Sequence, residues 1–452
     1  MDLTSDPIPK LIRRIGIPAS IGYFFNTMYN VVDTYFAGYI STDALAALSI
    51  SFPVFFILIA IGSGISQGGT ALIANALGEK DKDKARHTCF QCISFGILLS
   101  IVLAITGYYA TPSLFGILGA TGEYLDIALD YMNVILCGTV FLVLQSIINA
   151  CLNAQGDTKS YRNVLIMGFV LNCILDPWFL YGGLGVPAMG IKGIALATVL
   201  IQFLGMLYLL HRFSKTELWK KPTPSAFKPT STYRDIAKQG LPASFNMVTV
   251  AIGIFVITWF ISLFSDESVA AYGIATRIEQ ILLLPTIGLN IAVLSMTGQN
   301  NGAGHIGRVR ETLSVSMRYG LLMMVVGGAI LYPMAEPMMK AFTQDPLVVS
   351  HGVNYLRIAA ITLCSYVILF QTVNLLQGLK RPMFALVIGL YRQIVAPLLV
   401  FYLLAFHLDM KENGVWWGVF IVTWSAAILT HFYGRHILKG LKEEDGKAEA
   451  TA

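Results

Sequence analysis

The sequence is short of charge and of cysteine for its length. Charged residues make up only 13% of its 452 residues, against roughly 25% in a typical soluble domain. The cysteines lie singly or as one loose pair in apolar stretches, a distribution that indicates neither a disulfide framework nor a zinc site. They are Cys89, Cys92, Cys137, Cys151, Cys173 and Cys364. Hydrophobic residues reach 55%, so we predict an integral membrane protein surrounded by the lipid bilayer.

The sequence also lacks the motifs of an enzyme. It contains no nucleophile paired with a base, no His-Glu spacing for a metal and no Gly-rich phosphate loop. The formal net charge is +5, but the basic residues lie between apolar segments rather than in one patch, which argues against nucleic acid as a partner. We therefore expect a protein that is not an enzyme and that needs no cofactor or structural metal.

Twelve apolar windows are long enough to cross a bilayer, which takes about 20 residues each. They lie near 11–38, 46–76, 87–112, 125–152, 161–181, 189–212, 235–262, 268–300, 309–335, 349–377, 383–405 and 414–438. The loops on one side hold about 24 Lys and Arg residues, and those on the other side hold Lys192, Lys340 and Lys411. The positive-inside rule then predicts that both termini are cytoplasmic. The first window continues without a small-residue cleavage site, so it is expected to remain as a helix.

The chain repeats itself at an offset of 224 residues. The segment Gly16-Ile17-Pro18-Ala19-Ser20 returns as Gly240-Leu241-Pro242-Ala243-Ser244. At the same offset, Asp43, Ala46, Ala47, Gly78, Arg86 and Tyr131 meet Glu267, Ala270, Ala271, Gly302, Arg310 and Tyr355. Because each copy has six windows, both copies have the same orientation in the membrane. We predict two pseudo-symmetric six-helix lobes at 1–212 and 235–438, a cytoplasmic linker at 213–234 and a cytoplasmic tail at 439–452.

Two acidic side chains stand inside apolar windows of the first copy. Asp33 shares one helical face with Tyr29 and two asparagines, and Asp176 follows Asn172 by four residues in the fifth window. A charged side chain near the bilayer centre costs about 2.5–3.5 kcal/mol on insertion scales, so both acids are predicted to face inward. Two acids in a low-dielectric interior repel each other and are poorly solvated, which suits a pair that loads and releases a proton. The alternative is that these polar groups only hydrogen-bond one another and hold helices together.

The second copy lacks both acids, because Ile257 and Val400 occupy the equivalent positions. Its own intramembrane candidates are Arg277, Glu279 and Gln280 in the eighth window and Arg392 in the eleventh. An Arg and a Glu two positions apart cannot face each other on one helix, so their partners must come from other windows. The arginines are expected in structural ion pairs or at an interface, whereas Glu279 could also face a central cavity and attract cations.

Several ordered passages resemble the multidrug and toxic compound extrusion (MATE) transporters, most closely their bacterial DinF-type branch. The passages are Ile17-Pro18, Tyr29-Asn30-Val31-Val32-Asp33, Gln155-Gly156-Asp157, Asn172-Cys173-Ile174-Leu175-Asp176-Pro177, Thr276-Arg277-Ile278 and Gly298-Gln299-Asn300-Asn301-Gly302-Ala303. The likeness covers all twelve windows. It implies a V-shaped pair of lobes that opens alternately to each side of the membrane and exports organic, often cationic, drugs in exchange for protons or sodium ions.

The resemblance also implies roles for single residues. It makes Asp33 the ion-responsive group and Pro18 a bending point of the first helix, although a proline there could also be a harmless N-terminal helix residue. The positions that it places around Asp33 are Tyr29, Tyr131, Asn149, Asn172, Asp176 and Thr198. The oxygen-bearing side chains of Asp33, Asp176, Asn172 and Thr198 could hold Na⁺ as well as a proton.

We therefore expect a monomeric antiporter of the bacterial cytoplasmic membrane that exports small organic cations and drugs in exchange for protons, with sodium as the alternative ion. The alternative function is a flippase for lipid-linked precursors, which the same superfamily of folds includes. A flippase should present several cations to a pyrophosphate, and Arg277 and Arg392 alone offer few.

Overall fold

The computed structural model is built from helices over the residues it describes, which are 1–40, 42–183, 185–219 and 224–451. Within these ranges, the structure describes the side chains at all positions except 39–45, 224–225 and 442–451. The long helices in the first half are α1 (Ile8–Ile40), α2 (Thr42–Gly78), α3 (Lys82–Ile117), α4 (Gly122–Asn153), α5 (Lys159–Tyr181) and α6 (Ile191–Ser214). Those in the second half are α7 (Ser231–Ser262), α8 (Asp266–Gly302), α9 (Ile306–Lys340), α10 (Pro346–Gly378), α11 (Met383–His407) and α12 (Lys411–Thr451).

These twelve helices correspond one to one with the apolar windows of the sequence, and the predicted fold class is confirmed. The two longest windows are single helices, α2 and α8, of 37 residues each. Among the described residues, eleven helices are long and apolar enough to cross a membrane, and α1 is the one that does not meet that measure. The reason lies in its sequence, since the uncharged stretch between Arg14 and Asp33 contains Pro18, Asn26 and Asn30 among its apolar residues.

Helix α11 is interrupted by two π-helical turns, at Tyr391–Val395 and Leu403–His407. Pro397 lies just after the first turn. Proline has no N–H to donate to the carbonyl four residues earlier, which here belongs to Gln393. A local change of helical pitch is a common response to such a gap, and π-helical turns occur frequently at functional sites. The first turn carries Arg392.

The chain divides into two compact units whose limits fall inside helices. The first unit is Ile21–Ser244, and the second is Met1–Ser20 together with Phe245–Ala452. The beginning of α1 therefore packs in the second unit, and the beginning of α7 packs in the first unit. Pro18 and Pro242 both lie in the interior of their helices, a few residues before these limits. Neither is a first-turn proline.

The beginnings of α1 and α7, called here the exchanged segments, are each held by a crossing with another helix. The two crossings occupy equivalent positions in the repeat. In the second unit, the Ser20 hydroxyl lies 3.0 Å from the Gly16 carbonyl oxygen of its own helix and 3.2 Å from the Pro285 carbonyl oxygen of α8, and these two acceptors share its one proton. In the first unit, the Ser244 hydroxyl donates to the Ile61 carbonyl of α2, also at 3.2 Å. Each crossing places a Gly-x-x-x-Ser segment against a glycine of the other helix. Small residues at four-residue spacing let two backbones approach closely in a membrane.

The linker between the lobes is attached to the first unit by side-chain contacts. The Gln91 amide of α3 donates to the carbonyls of Ala226 and Lys228 at 2.7 and 2.9 Å, and its oxygen accepts from the Thr230 hydroxyl at 3.0 Å. The Phe90 ring packs against Trp219 and Phe227 and against Phe213 at the end of α6. The described part of the linker is therefore held against α3, at the same end of the unit as the last turn of α6.

Candidate functional site

The first unit buries the two acids that the sequence singled out. Asp33 of α1 is 8% exposed, and Asn172 and Asp176 of α5 are 0% exposed. The Asn172 amide donates a hydrogen bond of 2.7 Å to Asp33 Oδ1. Asn172 and Asp176 lie one turn apart on α5, so both face the same segment of α1. Packing of α5 against α1 therefore brings the two acids into one buried cluster.

The carboxyl groups of Asp33 and Asp176 lie within reach of each other. With both groups ionised, neither carboxylate oxygen of Asp176 has a hydrogen-bond partner. A proton on either group lets the two carboxyls hydrogen-bond to each other. A buried carboxylate without partners is costly, so this arrangement is suited to holding one proton between two acids.

Three hydroxyl groups surround the acid pair. Tyr29 of α1 donates to the Thr198 hydroxyl of α6 at 3.0 Å, and Thr198 is 2% exposed. Tyr131 of α4 is 3% exposed and lies within electrostatic range of both Asp33 and Asp176. Helices α1, α4, α5 and α6 thus each supply a polar side chain to one small region of the first unit.

Asn149 is not part of this cluster. It lies on α4, as Tyr131 does, but 18 residues later, and at 1.5 Å per residue this is about 27 Å along the helix axis. Asn149 is buried and its amide oxygen has no hydrogen-bond partner among the described residues. The structure therefore leaves Asn149 at the far end of α4 from the acids.

No three His, Cys, Asp or Glu side chains lie together in a way that could hold a metal ion, within the described part of the chain. A sodium ion in the cluster would therefore depend on the two carboxylates together with the oxygens of Asn172 and Thr198. Asn172, however, presents its NH₂ group rather than its oxygen to Asp33. This orientation satisfies the Asp33 carboxylate, and the amide oxygen of Asn172 has no hydrogen-bond partner among the described residues.

The second unit contains a cavity of about 200 Å³ between α7, α8, α10, α11 and α12. Ile257 lines it, so the cavity lies where the repeat equivalent of Asp33 stands. Glu279 is 6% exposed and accepts a hydrogen bond of 2.6 Å from the Tyr355 hydroxyl. Tyr355 is the repeat equivalent of Tyr131. Both copies therefore place a buried tyrosine beside an acid, but they draw the acid from different helices.

Arg392 and Gln280 also line this cavity, whereas Arg277 is exposed on α8 and does not. The Arg392 guanidinium lies over the rings of Tyr366 and Phe370, 5.7 and 5.6 Å from their centroids. No ion pair of 4 Å or less is found for either arginine within the described residues. The structural ion pairs that the sequence suggested for these two arginines are thus not formed, and aromatic rings contact Arg392 instead.

Comparison with known proteins agrees with the repeat. The sequence pattern of the MatE family matches residues 18–178 and again 242–403, so Pro18 and Pro242 open the two matched segments. Together the segments cover well over half of the chain. The chain belongs to the MatE family. It is therefore a multi-span membrane transporter and not an enzyme.

Curated relatives of this MatE transporter differ in the cargo that their names give. An FAD transporter of Shewanella oneidensis is 27% identical over 87% of this chain and 87% of its own length. The probable multidrug resistance protein YoeA of Bacillus subtilis is 27% identical over 84% of this chain and 83% of its own length. The multidrug export protein MepA of Staphylococcus aureus is 25% identical over 92% of this chain and 91% of its own length.

Solved MATE structures match nearly the whole chain. One shows a MATE transporter in a bent conformation, with a TM-score of 0.92, 27% identity and 98% of both chains covered. Another is an outward-facing multidrug resistance MATE transporter of the MOP superfamily, with a TM-score of 0.91, 27% identity, and 97% of this chain and 98% of that chain covered. A MOP superfamily transporter from Pyrococcus furiosus, described as having a binding pocket of reverse polarity, matches with 27% identity and a TM-score of 0.91 over 97% of this chain and 98% of that chain.

Some residues of the second-unit cavity escaped the analysis of the sequence. Tyr355 was visible only as the partner of Tyr131 in the repeat, and Tyr366 and Phe370 gave no signal because aromatic residues are common in membrane helices. A position-by-position comparison of the two copies would have identified cavity residues that differ in character between the copies. The positions equivalent to Arg392 and Tyr366 are Gly168 and Leu142 in the first copy.

Proposed function

We propose that this MatE transporter is a proton-coupled antiporter that exports organic compounds, including cationic drugs, by alternating access. The observation that carries the proposal is the buried pair of Asp33 and Asp176 in the first unit, with Asn172 bonded to Asp33. The equivalent positions of the second copy hold Ile257 and Val400. An ion can therefore act on acids at this position in one copy only.

The proposed cycle follows from the chemistry of the pair. Entry of a second proton from outside makes both carboxyls neutral and removes the need of Asp33 for the Asn172 donor. Helix α1 is then free to shift relative to α5, and a bound organic cation loses its electrostatic partner. Loss of a proton to the cytoplasm restores the charge. Drug release and proton uptake are thus competing events at one buried cluster.

One proton supplies enough energy for useful export. Its inward movement releases about 2.3 kcal/mol per 100 mV of potential and about 1.4 kcal/mol per pH unit. Each tenfold gradient of a neutral compound costs about 1.4 kcal/mol. A single proton can therefore sustain a gradient of roughly a hundredfold or more for such a compound. For a cation exchanged one for one with a proton, charge movement cancels and only the pH gradient contributes.

The proposed setting is the cytoplasmic membrane of a bacterium, with both termini cytoplasmic and the transporter acting as a monomer. The distribution of basic residues supports this orientation, since about 24 Lys and Arg residues lie at the ends of the apolar windows on one side and three lie on the other.

Transport in liposomes with purified protein tests the coupling. Asp33→Asn should abolish uptake of a cationic dye driven by a pH gradient, while Asp130→Asn serves as the control. Asp130 is an acid of α4 in the same unit, is partly exposed, and pairs with Lys192 at 3.0 Å. Full dye transport with intact proton counterflow in Asp33→Asn would end the proposal. Transport that persists without a pH gradient but needs sodium at fixed pH would replace the proton with sodium as the coupling ion.

The cargo is tested in the same liposomes with two probes, a cationic dye and FAD, because the relatives include both drug exporters and an FAD transporter. The proposal expects dye transport. Transport of FAD without transport of the dye would leave the antiport mechanism standing and change the cargo class. The described cavity is lined by one arginine, Arg392, which is fewer cations than a flippase for pyrophosphate-linked lipids should need.

A further inference from the structure

We propose that the cavity of the second unit is a binding site for an aromatic ring that carries an acidic group, with Arg392 binding the acid. In this division of roles, the first copy handles the coupling ion and the second copy selects an anionic part of the cargo. The inference rests on the proposed function only in treating the bound compound as cargo. The binding itself depends on the second unit alone.

The two copies differ in sequence at residues that line the cavity. Glu279, Tyr366 and Arg392 all line the cavity. The first copy has Phe55, Leu142 and Gly168 at the equivalent positions. The second copy thus has a polar site with a different set of charges, at the place where the first copy has its acid pair. An intramembrane charge is a functional residue by default, because its burial is costly.

The hydrogen-bonding capacity of the two charges decides which one can receive a ligand. Glu279 already accepts from the Tyr355 hydroxyl at 2.6 Å, and the Tyr366 hydroxyl lies close to both Glu279 and Arg392. Arg392 has five N–H donors and contacts mainly the faces of Tyr366 and Phe370. Aromatic faces attract a cation but do not accept five hydrogen bonds. The guanidinium therefore has donors left for a carboxylate or phosphate, with which it can form two parallel bonds.

The backbone under Arg392 supports the same conclusion. Arg392 and Gln393 lie in the π-helical turn of α11, and both line the cavity. A π-helical turn widens the helix and directs side chains away from the regular positions of an α-helix. Two adjacent polar side chains of this turn therefore lie on the cavity wall.

The size of the cavity and the residues of its walls limit the size and chemical character of the rest of the ligand. A cavity of about 150 Å³ lined by apolar side chains holds benzene, so the cavity of about 200 Å³ accommodates one or two fused rings. Tyr272, Phe370 and Phe401 supply aromatic walls against which a planar ring can stack. The ligand class is therefore a small aromatic acid, or the aromatic acid portion of a larger compound that extends beyond the cavity.

Equilibrium dialysis with purified full-length protein in detergent tests this site with three matched probes: 2-naphthoate, 2-naphthamide and 2-naphthylmethylammonium. The wild-type protein should bind the acid at least tenfold more tightly than the amide or the amine. Arg392→Gln should weaken naphthoate binding at least tenfold and leave naphthamide binding within twofold, and Arg392→Lys should retain part of the preference for the acid. Arg357→Gln is the matched control, since Arg357 lies 5.5 Å from the centroid of the Tyr332 ring in the same unit but outside the cavity.

Ile257→Phe gives a second, independent variant, because it fills the cavity from α7 and keeps Arg392. It should weaken binding of all three probes. Naphthoate binding that is unchanged in both Arg392→Gln and Ile257→Phe would overturn the proposal, as would a wild-type preference for the amine that disappears in Glu279→Gln. Dialysis uses no ion gradient, so a failure of proton coupling in liposomes leaves this result unaffected, and a failure of anion selectivity leaves the result for Asp33 unaffected.

Discussion

Replacing Gly64 with alanine would put a methyl group into the backbone of a neighbouring helix. Gly64 lies on α2 where the exchanged beginning of α7 crosses it. A Cβ atom at this position would lie 2.2 Å from both the backbone nitrogen and the hydroxyl oxygen of Ser244. A backbone atom cannot rotate away as a side chain can. The two helices would therefore have to separate by an ångström or more to reach ordinary van der Waals contact, and the hydrogen bond from Ser244 to Ile61 would be lengthened.

The expected loss of stability follows from two opposing effects. Overpacking a well-packed contact costs typically about 1–3 kcal/mol, whereas a glycine-to-alanine change within a helix gains up to about 1 kcal/mol from the backbone. The same helix offers a matched control at Gly62, where an added Cβ would meet the Ser146 side chain at ordinary van der Waals distances of 3.6 and 3.9 Å. Gly62→Ala should be neutral or stabilising. Because the backbone gain is common to both variants, we expect them to differ by the overpacking cost alone, about 1–3 kcal/mol in the free energy of unfolding.

The repeat supplies an independent second pair for the same measurement. At the equivalent crossing, a Cβ on Gly288 would lie 2.2 Å from the carbonyl oxygen of Gly16. Gly273, also on α8, has nothing within 4 Å of such an atom. Unfolding of each variant in detergent, followed by intrinsic fluorescence against denaturant, gives the free-energy differences. If Gly64→Ala and Gly288→Ala are as stable as their controls, close packing at the crossings is not what holds the exchanged helix segments.

Two further predictions concern hydrogen bonds. Tyr355→Phe removes the donor to Glu279 and should destabilise the protein by about 1–3 kcal/mol, because a buried acceptor is left without its partner. Denaturant unfolding measures the loss of stability, and a change below 0.5 kcal/mol would contradict this prediction. Gln91→Leu removes the hydrogen bonds that attach the linker to α3. Limited trypsin digestion should therefore cut within 212–234 at least several-fold faster than in the wild-type protein. An unchanged cleavage rate would show that the aromatic contacts of Phe90 are enough to hold the linker against α3.

The fold was largely predictable from the sequence because membrane helices are specified by local properties. Length and apolarity placed twelve windows, and the regular repeat showed that they form two equivalent sets. The exchange of helix beginnings between the units was not predictable in the same way, since it depends on which helices contact each other. The sequence did carry a hint, because the segment Gly16–Ser20 and its copy Gly240–Ser244 are the passages that the repeat preserves best.

The acid cluster was predictable in part for the same local reason. A four-residue spacing places Asn172 and Asp176 on one face, and a polar face in an apolar helix must find polar partners. The same reasoning says nothing about depth along a helix, so it could not separate Tyr131 from Asn149. Nor could it place Arg392, because the π-helical turn that positions this side chain breaks the regular periodicity on which such arguments depend.

The two units are joined by helices that each belong to both, and only one of these helices can respond to an ion. In α1, Ser20 lies 13 residues before Asp33, which is about 20 Å along the helix. Further back, Arg308 donates to the Asp6 carbonyl at 2.7 Å and Asn300 donates to the Leu3 carbonyl at 3.0 Å, so the start of the chain is fixed to α8 and α9. A change of charge at Asp33 in the first unit therefore acts on a rod whose other end is held in the second unit. Helix α7 has the same arrangement but carries no acidic or basic residue after Ser244. In the proposed mechanism, the acid pair and the shared helix therefore make the first copy the one that converts ion binding into movement.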